Sequence, residues 1–220
     1  MTICRQAYGL MIKCIRCALL THIAFGNKKK MNLKGNTAMD LVKGIKERRS
    51  IRKFQDKPVP RELLTEVVEV ARFAPSWKNT QIARYIVIED KEKIAKIATE
   101  ECTLGFTYNI KTMAAAPALV LLTYVNKRSG YEKDGSYTTP KEDRWEMFDA
   151  GIAAQTFCLA AHEKGLGTVI MGIFDENKVG EIVEIPEGQT LAAIIPVGFP
   201  ADGEVACPPR KAAEDLISFV

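Results

Sequence analysis

The sequence predicts an α+β domain in which helices and strands interleave around one central mixed β-sheet. Three observations carry this reading. Helix-period apolar stripes alternate with short β-rich runs along residues 39–220. The segment Glu142 to Lys164 is long and carries small residues on every side of its middle, as a buried helix does. A chain of 220 residues with 47% hydrophobic composition is long enough for one substantial core and short for two.

The elements follow in order. Met39, Leu41, Val42 and Ile45 form a helical stripe that runs into Arg48-Arg49-Ser50-Ile51-Arg52-Lys53-Phe54, so a short helix ends in a cation cluster. Leu63, Val67, Val70, Ala71 and Ala74 recur at helix spacing, with Pro60 near the start and Pro75 as the stop. Pro75 to Gln81 is a polar loop, and Tyr85-Ile86-Val87-Ile88 has strand composition. Lys91 to Thr99 reads as a surface helix, Asn109 to Ala116 as another helical stretch and Pro117 to Val125 as a buried strand. Asn126 to Pro140, rich in Lys, Gly, Ser and Tyr, is a loop or lid of a length that is often functional.

In the long helix, Ala150-Gly151-Ile152-Ala153-Ala154 predicts burial all round and close approach of neighbouring backbones. Gly165 suits its stop, and the helix dipole accounts for His162 in the last turn. Thr168 to Ile173 reads as a strand, Asp175 as the cap of a helix to Val183, and Leu191 to Gly198 as a further strand. Leu216 to Val220 reads as a terminal strand without a hairpin partner, free to add to an edge elsewhere, including one on another subunit.

Seven of the 31 basic residues and none of the 27 acidic ones lie in residues 1–38, so that segment carries +7 and the remainder −3. The expected organisation is a basic N-terminal extension, 1–38, disordered or non-essential, followed by a folded domain, 39–220. A mildly acidic body gives no nucleic-acid signature. The apolar run Ala18 to Phe25 is broken by Thr21 and His22 and is too short for a membrane span, so no membrane association is expected.

Cys4, Cys14 and Cys17 lie in the extension, and Cys102, Cys158 and Cys207 are scattered singly through the body. That is not a disulfide framework, and a cytoplasmic, reducing location is expected. One CxxC with Cys4 and His22 in an otherwise featureless segment does not make a metal site, and none is expected. Walker A, HExxH and GxSxG motifs are absent. Gly165-Leu166-Gly167 with Gly172 has the wrong spacing for a dinucleotide fold and leads from helix to strand. With two histidines, one in the extension, histidine catalysis has little support.

The cation clusters Arg48/Arg49/Arg52 and Arg210/Lys211 are the most informative residues. A phosphate monoester rewards planar donors that bind two oxygens at once, so arginine is its natural partner, and Ser50 adds a hydroxyl donor. Taken singly, each cluster is more often a solvated surface. Their company shifts the balance. Arg48 to Phe54, Ala74-Pro75-Ser76-Trp77-Lys78-Asn79-Thr80-Gln81, Asp149-Ala150-Gly151 through Leu159 to Thr168, and Gly198-Phe199-Pro200 before Arg210-Lys211 resemble the nitroreductase family in order and spacing, over roughly Met39 to Val220.

The resemblance implies helices flanking a central mixed sheet, an interlocked homodimer, FMN as cofactor and NADH or NADPH as electron donor. It places Arg48, Arg49, Ser50, Arg52, Arg210 and Lys211 on the FMN phosphate and the pyrimidine side of the ring. It brings Pro75, Ser76, Trp77 and Asn79 to the flavin from the other subunit. Met171 and Gly172 match the strand-end pair facing the reactive edge, and Asn109 a further polar contact. No catalytic side chain is then required, because the flavin carries the chemistry.

The implied activity is two-electron, ping-pong reduction of a small-molecule electron acceptor such as a nitroaromatic or quinone. The same fold also permits reductive dehalogenation. A protein that stores or senses FMN without turnover is the alternative. The chain departs from the family pattern near the pocket: Gln81 is followed by Ile82-Ala83 rather than Pro-Trp, Met171 stands where an acid is frequent, and Trp77 where a small residue is usual. Trp145, Tyr131 and Tyr137 flank the lid, either to stack on an aromatic substrate or to anchor the loop by ordinary packing.

Overall fold

The structure, a computed structural model, describes residues 39–220 except Asp202 and Glu204, so the expected extension 1–38 lies outside the described residues. The first helix, α1, is Leu41–Glu47, capped by Asp40, whose carboxylate accepts the Lys43 N–H at 2.8 Å. Helix α2 is Arg61–Ala71, α3 Lys91–Ile97, α4 Thr107–Ala114, α5 Arg144–Glu163 and α6 Glu176–Val183. Asp175 caps α6 as expected, accepting from the N–H groups of Asn177 and Lys178.

Four strands form the sheet: β1 Ala83–Ile88, β2 Ala118–Val125, β3 Gly167–Thr168 and β4 Gln189–Gly198, in the order β1-β2-β4-β3. Every ladder is antiparallel, and parallel pairing enters through one bridge, Ser50 to Thr168. The α+β class therefore holds. Strand alternation divides two cores. Ala118, Val120 and Leu122 of β2 face Phe157, Ala154 and Ala161 of α5 and Leu64, Val67 and Ala71 of α2. Leu119 and Leu121 face Ile94 and Ile97 of α3, Met113 of α4 and Val179 of α6. Covered on both faces, β2 reads as a continuous apolar run for that reason.

Three local expectations change. The strand expected over Thr168 to Ile173 is cut short: its ladder ends at Thr168, and the chain touches β4 again only at the Met171–Ile194 bridge. Gly167 begins it because Ile51 crosses so closely that a Cβ there would lie 2.7 Å from the Ile51 side chain. Leu216 to Val220 form no strand within the chain, and Phe219 is 90% exposed. Finally, α5 is buried on one face only. Met147, Phe148 and Gly151 are exposed on the other, and no atom lies within 4 Å of where a Gly151 Cβ would stand. The α1 stripe likewise points outward, with Leu41 69% exposed.

Candidate functional site

The arginine segment is fixed by its flanks. Arg48 closes α1, its N–H donating to the Gly44 carbonyl, and the chain is then laced to the end of the sheet. Ile51 N–H donates to Thr168 O at 2.9 Å, Gln55 N–H to Phe199 O at 2.9 Å and Ala201 N–H to Lys53 O at 3.0 Å. Arg48, Arg49, Glu47, His162 and Thr168 line a cavity of about 440 Å³. The Arg49 guanidinium turns back on the Lys46 and Arg48 carbonyls at 2.6 and 2.8 Å.

Arg52 sits apart from these, its guanidinium carbon 5.4 Å from the centre of the Tyr108 ring and its buried Nε without a partner. None of the three arginines forms an ion pair among the described residues. Arg48 and Arg49, in a cavity whose lining also includes Glu47, offer planar, multidentate donors that suit a phosphate, while Arg52 lies outside that lining. Asn109, beside Tyr108 on α4, is buried. His162 is not tuned by the helix dipole alone. Burial first, and then the Arg48 charge, push its pKa down and favour the neutral ring.

The loop after α2 is the most strained segment among the described residues. Lys78, Asn79 and Gln81, at φ of 44°, 57° and 52°, occupy the left-handed region that disfavours side chains other than glycine. Asp149, on the buried face of α5, holds this loop: its Oδ2 accepts the Trp77 N–H at 2.9 Å and the Ser129 hydroxyl at 2.6 Å. Ser76 Oγ accepts the Gln81 N–H at 2.9 Å. One turn earlier, buried Glu146 accepts the Arg128 N–H at 3.1 Å, and burial pushes its carboxyl pKa up.

Asp149 has no role of its own that the sequence assigns. Its signal was an acid at a core position of the most apolar helix, a placement that demands hydrogen-bond partners. Trp77 packs on Trp145 with ring centres 4.5 Å apart, and Trp145 Nε1–H donates to Thr139 Oγ1 at 3.0 Å. Tyr131 and Tyr137 bridge one another across the lid, 4.9 Å apart. These aromatics anchor the loop and lid, the plainer of the two roles expected for them.

Beyond β3, both backbone groups of Met171 pair with Ile194 at 2.9 and 3.1 Å, and the exposed Gly172 N–H has no backbone partner among the described residues. Pro75 and Ser76 open onto a separate cavity of about 760 Å³ between α2, β1 and α5, lined by Leu64, Val68, Ile82 and Tyr85. Arg210 folds onto the Pro208 and Pro209 carbonyls at 2.8 and 3.3 Å, and residues 205–220 are exposed throughout. Within one chain, then, Arg48 and Arg49 come together with Thr168 and Ser50, and the Pro75–Asn79 loop joins the lid. Neither Arg210 nor Lys211 lines the arginine cavity.

The sequence profile described as Nitroreductase family matches residues 45–199. A protein of Methanothermobacter thermautotrophicus, whose name pairs NADH dehydrogenase with NAD(P)H nitroreductase, is 33% identical over 168 residues, covering 74% of this chain and 79% of that one. The FMN reductase (NAD(P)H) of Bacillus subtilis is 29% identical over 192 residues, covering 82% of this chain and 75% of its own. Among solved structures, oxidized iodotyrosine deiodinase bound to FMN and 3-iodo-L-tyrosine is similar at a TM-score of 0.64 and 26% identity, over 79% of this chain and 96% of that one.

Proposed function

Because the chain belongs to the nitroreductase family, we propose that it is an FMN-dependent oxidoreductase, working as a homodimer, in which NADH or NADPH reduces nitroaromatics, quinones or related acceptors by a ping-pong mechanism. One observation carries the reading furthest: none of Arg48, Arg49 and Arg52 forms an ion pair among the described residues, and Arg52 keeps a buried Nε–H unsatisfied. An orphaned charged donor is costly unless a ligand satisfies it. FMN, when bound, supplies the two-electron chemistry.

The chain's own groups hold and bias the cofactor. Arg48, Arg49 and Ser50 would grip the phosphate. Arg52, fixed on Tyr108, would face the pyrimidine side, where a guanidinium favours the reduced, negatively charged ring. The unpaired Gly172 N–H, beside Met171, would reach the reactive edge and leave the open face clear. Asn109 would add a polar contact, and Pro75, Ser76, Trp77 and Asn79 would enter from the second subunit.

The dimer reading rests on surfaces that a single chain leaves uncovered. They are the outward stripe of α1, the Met147, Phe148 and Gly151 face of α5, the unpaired outer edge of β1, and the extended tail with Leu216 and Phe219. Apolar area of this extent needs a cover. A tail that crossed to the partner would add its strand to an open edge and carry Arg210 and Lys211 with it toward a site they do not reach within their own chain.

A chain beginning at Met39 and loaded with FMN should oxidise NADH or NADPH and pass the electrons to menadione or a nitrofuran; 3-iodo-L-tyrosine, supplied as acceptor, distinguishes the dehalogenating class. Firm FMN binding without oxidation of either nucleotide points instead to storage or sensing. Loss of FMN on trimming would place residues 1–38 in the working protein.

Arg48→Ala and Arg210→Ala should each release FMN while the fold stays intact. Losing one charge-assisted contact costs about 1.5–3 kcal/mol, roughly ten- to hundredfold in affinity. Flavin fluorescence titration reads this directly, and unchanged affinity in both variants would remove these residues from the phosphate site.

A further inference from the structure

Asp149 joins two segments whose sequence separation gives no hint that they belong together. Its carboxylate, 4% exposed, accepts from the Trp77 N–H of the loop and from Ser129 of the lid. A carboxylate accepts only, so the single Ser129 proton is committed to Asp149. The 2.7 Å contact between Ser129 Oγ and Thr80 Oγ1 must then run the other way, with Thr80 donating. The result is a directed relay from Thr80 through Ser129 to Asp149, and Ser129 is fully buried within it.

A second tie is the ion pair of Lys78 Nζ with Glu132 Oε1 at 2.8 Å, which holds the Glu132 carboxyl below its usual range. The loop so tied is the one with three non-glycine residues at positive φ, a conformation that persists only when its surroundings over-determine it.

We propose that Asp149 is a positioning residue that locks loop 76–81 and lid 126–140 of one chain into a single unit, so that both serve the same flavin site and share its acceptor side. The proposal rests on the flavoenzyme reading above. Loop and lid then come from one subunit and the arginine segment from the other, and access of the acceptor depends on a carboxylate whose hydrogen bonds go to the loop and the lid.

Subunit mixing tests it. Asp149→Ala should lower kcat/KM for menadione roughly tenfold or more, since loosening a loop that orients reactants has effects of this size. Asp149→Asn, which keeps an oxygen to accept the Trp77 N–H, should restore most of the loss. Ser129→Ala, which cuts the lid from both Asp149 and Thr80 and leaves the Trp77 N–H bond in place, should raise the acceptor KM severalfold with kcat held and speed proteolysis within 130–137.

Refolded together with Arg48→Ala, the Asp149→Ala chain should return about a quarter of wild-type activity, because half of the dimers are mixed and each carries one intact site. Refolded with Asn79→Ala, it should return nothing above the parents. The reverse pattern overturns the proposal, as does wild-type turnover in Asp149→Ala. Should that variant be insoluble, Ser129→Ala decides: an unmoved KM and unmoved proteolysis overturn the shared unit. Failure of Arg48→Ala to complement Asn79→Ala strikes the shared-site dimer itself, an outcome distinct from these.

Discussion

A Gly151→Arg chain should fold, run as a monomer and lose its FMN. The position is in the middle of α5, and within the chain nothing lies within 4 Å of a Cβ placed there, so the side chain meets no intramolecular clash. Replacing a mid-helix glycine by a good helix former gains up to about 1 kcal/mol of helix propensity. In a dimer the same residue would stand between Met147 and Gln155, one helical turn away on either side, on the face that also carries Phe148 and Ile152.

A guanidinium buried there without a partner costs several kcal/mol, and a twofold interface incurs the cost twice. Sedimentation should therefore show a species of half the wild-type mass with an unchanged far-ultraviolet spectrum. Flavin titration should show affinity reduced far beyond any single-contact loss, because both sites lose their second subunit. A Gly151→Arg protein that remains a flavin-loaded dimer would move the interface away from α5.

How much of this was legible in the sequence depends on whether a residue's role is set locally. The cap at Asp175 and the burial of β2 follow from side-chain chemistry and spacing, and the structure keeps both, whereas α2 ends at Ala71, short of the stop expected at Pro75. The long helix was legible as a helix, but its all-round burial was not realised in one chain, because small residues can be covered by a neighbouring molecule as well as by the chain itself.

The interruption after Thr168 had no warning, since Val169 and Ile170 have strand chemistry and only the crossing of Ile51 and the pairing of Met171 decide the path. Positive φ at Asn79 is a tolerated habit of asparagine; at Lys78 and Gln81 it is imposed by Asp149 and Ser76. Asp149 itself was visible as part of a motif and opaque in function. What it does is fixed by loops 72 and 20 residues away, and helical periodicity carries no record of either. Arg210 is the opposite case: legible by order and spacing, yet folded on its own backbone in the single chain.

Two inactive proteins should make an active one. Arg48→Ala removes a phosphate donor from the groove that its own chain builds with Thr168 and His162, while Asn79→Ala removes a side chain from the loop that Asp149 presents. If these enter one flavin site from different subunits, each homodimer carries a lesion in both of its sites. In a mixed dimer the two lesions fall on a single site and the other is untouched. Random pairing makes about half of the dimers mixed, each with one working site of two, so about a quarter of wild-type activity should return.

The rise is from near zero, which makes the signal large against either parent. The experiment unfolds and refolds the two chains together, confirms exchange by the mass of differently tagged subunits, and follows NAD(P)H oxidation with menadione. Were both residues to serve one site from the same chain, every site would contain at least one lesion and no mixing ratio could restore turnover. A mixture as inactive as its parents, with exchange confirmed, would therefore overturn the shared-site dimer.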